Sequence, residues 1–205
     1  MSITTPPHAR LVIEGLTSAP STSDAVDSAL LESTLRCIAL YGTARLTVAD
    51  VSRSAGVGRA TVFRRFGSKD ELIRRAFSFE LARIVEGFAE TVAAVSHPGE
   101  HLVEIIVAAV RTARTHPIGT RLVEDGTAVA IHRDPDLAQL QLLMLTDRIS
   151  DCAEQLAVDV DTTGTAEVLL RFIGSVWLTP DIGLPTTDDD AIRRMVRVIL
   201  HPLIP

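Results

Sequence analysis

Apolar residues recur along most of the chain at intervals of three and four, the spacing of one face of an α-helix. Leu31, Leu35 and Ile38 mark a first helix that runs to about Tyr41 and stops at Gly42, with Ser23 as its cap. In "LTVADVSRSAGV", Thr47 and Asp50 form a capping box, Leu46 is the preceding apolar staple, and Val48, Val51 and Ala55 face inward. That helix is barely two turns long and ends at Gly56, where a left-handed conformation costs glycine nothing. "VGRATVFRRF" then starts a second short helix. Val62 and Phe66 point into the core with Val57, which leaves Arg59, Thr61, Arg64 and Arg65 around the outer side. Ser68 with Glu71 launches a long helix through "KDELIRRAFSFELARIVEGFAETVAAV".

Helical spacing continues from about Pro98, where Leu102, Ile105, Ile106, Ala109 and Val110 form one face before "THPIG" breaks it. Asp134 caps a further helix with Pro135 at its first position. Residues 165–178, "TAEVLLRFIGSVWL", are apolar nearly all round, and "DDDAIRRMVRVIL" closes the chain with acidic residues in its first turn. Its stripe is Ile192, Met195, Val196, Ile199 and Leu200. No strand, repeat or low-complexity block stands out, so the pattern predicts an all-α fold. The Pro- and Thr-rich residues 1–23 read as a flexible arm, 24–72 as one helical domain and 73–205 as a larger one.

Composition sharpens this picture at one place. The 205 residues are 46% hydrophobic and 22% charged, which suits a globular chain, and the 4% of aromatics leaves the core to Leu, Ile, Val and Ala. The net charge is −6, yet residues 45–75 carry eight cationic side chains against Asp50, Asp70 and Glu71, a local +5. Lys69, the only lysine, lies in this segment. A basic segment on an acidic body is the footprint of a polyanion-binding module; its bland counterpart is a solvated helix face. No targeting signal or run of membrane length is evident, and Cys37 and Cys152 read as small buried thiols, so a cytoplasmic protein is expected.

Two short helices joined by a tight glycine turn, the second basic outside and apolar inside, constitute a helix-turn-helix. "TVADVSRSAGVGRATVFRRFGSKDEL" resembles the N-terminal signature of the tetracycline-repressor (TetR) family of transcription regulators over about residues 24–80. The shared pattern is a Thr-started helix, an Ala-Gly-Val turn, a helix with Gly58, Thr61, Val62, Phe63 and Phe66 at its spaced positions, and a final Ser-Lys-x-x-Leu. The resemblance implies that Thr47 binds a DNA phosphate, that Arg59, Thr61 and Arg64 read bases or adjoining backbone, and that Lys69 clamps a phosphate. Gly58 and Phe63 belong to the same surface. Phe63 replaces the family's commoner tyrosine, and Arg65 stands where Tyr or His is frequent and offers a charge-assisted phosphate contact instead.

The resemblance further implies an N-terminal three-helix DNA-binding domain followed by a ligand-binding and dimerisation domain. The expected function is a homodimeric repressor on a palindromic operator, released by a small molecule. Pocket candidates are Phe88, Met144, Phe172 and Trp177. The interface candidates on the last two helices are Leu169, Ile173, Val176, Ile192, Met195, Val196 and Ile199. Catalytic chemistry finds little support: "GVGRAT" lacks a preceding strand and a third glycine, and "GSK" lacks the rest of a P-loop. Pro98 and Gly99 keep His97 and His101 off one helical face, and Asp188–Asp190 read as helix-start charges. No enzyme, cofactor or metal site is expected. The rival reading is a small-molecule-binding or enzymatic helical protein whose basic segment is incidental.

Overall fold

The computed structural model describes residues 6–18, 24–179, 181, 183, 185 and 187–204. They form α1 (Pro7–Thr17), α2 (Ala25–Arg45), α3 (Val48–Ala55), α4 (Arg59–Phe66), α5 (Lys69–Val92), α6 (Pro98–Thr115), α7 (Pro117–Glu124), α8 (Thr127–His132), α9 (Pro135–Leu156), α10 (Thr162–Leu178), α11 (Asp189–Ile199) and a closing 3-10 turn, His201–Leu203. Among the described residues there is no strand, so the fold is all-α as the spacing predicts. The chain divides into two units, residues 1–85 with 121–131, and 86–120 with 132–205.

Within the first unit, the local signals act where the sequence places them. Thr47 and Asp50 make a reciprocal capping box at the start of α3. Gly56 ends α3 at φ 68° and ψ 26°, a left-handed geometry that a Cβ would disfavour. Ser68 Oγ accepts the Glu71 amide at 3.0 Å and so starts α5. Gly42, at φ 75° and ψ 162°, breaks the helical path of α2 before its last residues. Leu30, Leu31, Ile38, Leu46, Val51, Val62, Leu72 and Ile73 are essentially fully buried and form this unit's core.

Two expectations for the N-terminus need correction. The arm over residues 1–23 contains a helix: α1 starts at Pro7, whose fixed φ suits a first helical position, and buries Ala9, Val12 and Ile13. It lies close enough to α5 that a Cβ on Gly15 would come within 2.7 Å of both the Arg74 carbonyl oxygen and Phe77 Cβ. Ser78 Oγ donates to the Ser18 carbonyl at 3.1 Å, and Glu14 pairs with Arg74 at 3.3 Å. The cap of α2 is Asp24, whose carboxylate accepts the amides of Val26 and Asp27. Ser23, expected in that role, lies outside the described residues.

In the second unit, α6, α9, α10 and α11 enclose one core that includes Val103, Ile106, Val110, Ile149, Leu169, Ile192, Val196 and Leu200. A Cβ on Gly99 would stand 1.7 Å from the Leu203 carbonyl oxygen, so the start of α6 meets the C-terminal turn backbone to backbone. Polar bonds hold α11 along α6. The Arg193 guanidinium donates to both Glu104 oxygens, at 2.6 and 2.9 Å, Arg197 reaches Glu100 at 2.6 Å, and Arg111 reaches Asp189 at 2.6 Å. Arg193 holds the Glu104 carboxyl below its usual value.

This packing overturns part of the expected interface. Leu169, Ile192 and Val196 are completely buried inside one chain, and Val176 is 8% exposed. The α11 stripe is covered by α6 of the same chain, leaving those side chains no surface to offer a second copy. Ile173, Met195 and Ile199 are half-buried at the edge of the same core. Val168 and Val198 are the apolar residues that α10 and α11 turn outward.

Candidate nucleic-acid interface

The helix-turn-helix comprises α3, the turn at Gly56–Gly58, and α4. Val62 and Phe66 anchor α4 from below, so the opposite side of this two-turn helix is fixed toward solvent. Arg59 and Arg64 are exposed there, Phe63 is 49% exposed, and Thr61 is half-buried. Neither arginine has an ion-pair partner among the described residues. Lys69, half-buried in the first turn of α5, has none either. These three cations are therefore not paired with any carboxylate among the described residues.

Arg65 differs. Its guanidinium donates to Asp24 and to Asp27, each at 2.7 Å. The bond from Arg65 is the main reason the Asp24 carboxyl sits below its usual value, and the two carboxylates raise the already high Arg65 value further. Asp27 also takes Arg75 at 3.2 Å, and the Arg75 guanidinium lies 4.6 Å from the centre of the Phe66 ring. Arg65 thus ties α4 to the start of α2, a structural employment that its expected phosphate contact did not include. Asp24 and Asp27 were missed by sequence reasoning because they lie about forty residues away along the chain.

Thr47 is similarly committed. Its hydroxyl donates to Asp50 at 2.5 Å while accepting the Asp50 amide at 3.2 Å, and its own amide donates to Asp50 at 3.2 Å. The hydroxyl bond, chiefly, holds the Asp50 carboxyl down. The Thr47 hydroxyl and backbone amide, the groups it could offer a phosphate, are both engaged in the capping box, although the residue itself is exposed. Gly58, the N-cap of α4 at φ −72°, has no such internal duty. A Cβ there would meet nothing within 4 Å.

The four pocket candidates differ in burial. Met144 is 62% exposed on α9, because the apolar face of that helix runs through Leu137, Ile149, Cys152 and Ala153 instead. Phe172 packs on the second unit's core, and Phe88 is half-buried on α5. Trp177 is half-buried, and its indole Nε1 is enclosed without a hydrogen-bond partner among the described residues. Among those residues no group of three or more His, Cys, Asp or Glu is placed to hold a metal ion. Among the same described residues, no helix is long and apolar enough to cross a membrane.

Residues 30–76 match the family model described as "Bacterial regulatory proteins, tetR family". No curated protein matches the chain. Solved structures of similar fold include the fatty acid degradation regulator FadR from Bacillus halodurans, with TM-score 0.62 and 14% identity over 89% of this chain and 96% of that one. The ketosteroid transcriptional regulator KstR2 of Mycobacterium tuberculosis aligns with TM-score 0.56 and 18% identity over 92% and 100%. AibR, solved with isovaleryl coenzyme A and operator DNA, aligns with TM-score 0.53 and 16% identity over 86% and 99%.

Proposed function

We propose that this chain, whose N-terminal domain is that of the TetR family of bacterial regulatory proteins, is a ligand-released transcriptional repressor that binds a palindromic operator as a homodimer in the cytoplasm. The observation that carries the DNA reading is the division of arginines on α4. Arg65 is neutralised within the chain, whereas Arg59 and Arg64 stand exposed and unpaired on the face opposite the anchor residues. Leaving two cations bare while pairing the third favours a surface kept for an anion over an incidental basic segment. Arg59, Thr61, Phe63 and Arg64 are assigned to the major groove and the phosphates at its rims, and Lys69 to a further backbone phosphate. Gly58 supports this assignment. No atom of the protein requires a glycine there, so the space its missing Cβ leaves suits close approach of a DNA strand.

One short recognition helix covers few base pairs, and two heads about 34–36 Å apart reach successive major grooves. The interface is assigned to the outward residues of α10 and α11, Val168, Arg171 and Val198, with Ile173, Met195 and Ile199 at its edge. Release by a small molecule in the second unit requires different affinities for the two conformations, and the coupling is reciprocal. Phe172 and Trp177 are the aromatic side chains assigned to that ligand, the enclosed indole N–H offering it a donor. We assign the chain no catalytic role.

Footprinting on the DNA upstream of the protein's own gene tests the reading. A protected palindrome is expected, with protection lost in Arg59→Ala and Arg64→Ala. Unchanged protection in both variants refutes the assignment of α4. Val168→Asp and Val198→Asp are expected to dissociate the dimer in sedimentation while leaving a folded monomer; a dimer in both places the interface elsewhere.

A further inference from the structure

Phe63 lies on the outer side of α4 and takes no part in the charge argument. At about 3.6 residues per turn, positions 59, 63, 60 and 64 follow one another around that side of the helix. Ala60 and Phe63 therefore make an apolar strip along its middle, with Arg59 and Arg64 at the two edges. All four residues are exposed, Phe63 at 49%.

Several features hold this strip in place and keep it clear. The space beneath α4 is taken by Val62 and Phe66, which are 1% and 4% exposed, so the Phe63 ring has no core to enter. The Phe63 carbonyl accepts the Gly67 amide at 2.8 Å, which closes the last turn, and Arg65 ties the helix to Asp24 and Asp27. Among the described residues no cation covers the Phe63 ring, whereas the Arg75 guanidinium covers Phe66. Gly58 and Gly67, at the two ends of α4, leave open space where a Cβ would stand. A single exposed apolar side chain is ordinary on a protein surface, and what distinguishes this one is its place between two unpaired arginines. A phenyl ring has neither donor nor acceptor of the ordinary kind, so it reads no base by hydrogen bonding and gives a phosphate no bond. Among the base edges of the major groove, the apolar group is the C5-methyl of thymine.

We propose that Phe63, with Ala60, selects operators carrying thymine at one position of each half-site by packing against its C5-methyl group. This inference rests on the DNA reading above and deepens it. Arg59 and Arg64 meet phosphates and polar base edges, and the strip between them adds a choice that charge does not make. Removing one methyl group from water is worth about fourfold in affinity, so the two half-sites of a homodimer give about fifteenfold.

Fluorescence anisotropy on the footprinted palindrome tests this, with one duplex carrying thymidine and another deoxyuridine at every thymine position. The two pair identically and differ in the C5-methyl groups alone. The parent is expected to bind the deoxyuridine duplex about fifteenfold more weakly. Phe63→Ala, a change at an exposed site, is expected to bind both duplexes alike. Restoring thymine position by position is expected to recover the parent's affinity at a single site in each half. Equal affinity of the parent for both duplexes overturns the proposal. So does a preference that Phe63→Ala retains in full, because it assigns the effect to Thr61 or to duplex shape. A parent that binds neither duplex refutes the DNA reading itself. Binding that Arg59→Ala and Arg64→Ala abolish but deoxyuridine leaves unchanged refutes this inference alone.

Discussion

Salt dependence offers a direct measure of which cations meet DNA. Each phosphate neutralised by a side chain releases condensed counterions, and log affinity falls with log salt by about 0.9 per contact. The structure leaves Arg59, Arg64 and Lys69 unpaired in each chain, while Arg65 is held by two carboxylates. If the proposed homodimer places all three on phosphates, it makes about six such contacts, for a slope of about −5, and affinity drops about 10³-fold between 50 and 200 mM salt. Arg64→Ala removes two contacts per dimer and is expected to reduce the slope to about −3.6. Arg65→Ala is expected to leave the slope near −5 while lowering the thermal midpoint of the protein. Fluorescence anisotropy on one duplex at four or five salt concentrations provides the slopes, and a melting scan provides the midpoints. If Arg65→Ala flattens the slope as much as Arg64→Ala, then Arg65 exchanges Asp24 and Asp27 for phosphates on DNA, and the division of roles on α4 is wrong.

The Asp24–Arg65 pair also predicts a pH dependence. The Asp24 carboxyl is held below its ordinary value of 3.8, so its stabilisation is complete above that value and is lost as pH falls through the lower folded one. Asp24→Asn is accordingly expected to melt earlier than the parent at pH 7, with the gap narrowing toward pH 3; a gap that stays constant refutes the ion-pair account. Leu169→Ala, at a completely buried site, is expected to cost about 2–5 kcal/mol in denaturant unfolding, and a cost near zero means the site is not packed. Ile192→Asp places a charge in the same core, so circular dichroism is expected to show an unfolded second unit and not a folded monomer. Gly99→Ala is expected to destabilise by about 1–3 kcal/mol, because Leu203 must move to admit the methyl group.

The elements governed by neighbours in sequence were legible. The Thr47–Asp50 box, the left-handed Gly56, the Ser68 cap and the Val62–Phe66 anchor each depend on residues within a turn of one another, and each stands where its spacing predicts. The fate of Arg65 depends on partners 41 and 38 positions away, and no local pattern contains them. The apolar stripe of α11 illustrates a different limit. Spacing identifies Ile192 and Val196 as one face but is silent on whether α6 or a second chain covers it. The helix within the N-terminal arm had a readable signal, since Ala9, Val12 and Ile13 follow helical spacing after Pro7; the prolines and threonines around it masked that signal.

Asp24 divides its two oxygens between tasks: Oδ1 accepts the Val26 and Asp27 amides that begin α2, and Oδ2 accepts the Arg65 guanidinium at the end of α4. Anyone retargeting this protein to another operator therefore does not have a free choice over the whole of α4. Under the proposed assignment, positions 59, 61 and 64 can be rewritten to suit new bases, but residue 65 is part of the chassis. A recognition helix grafted without an arginine there would leave the aspartates unmatched and loosen the frame that aims it.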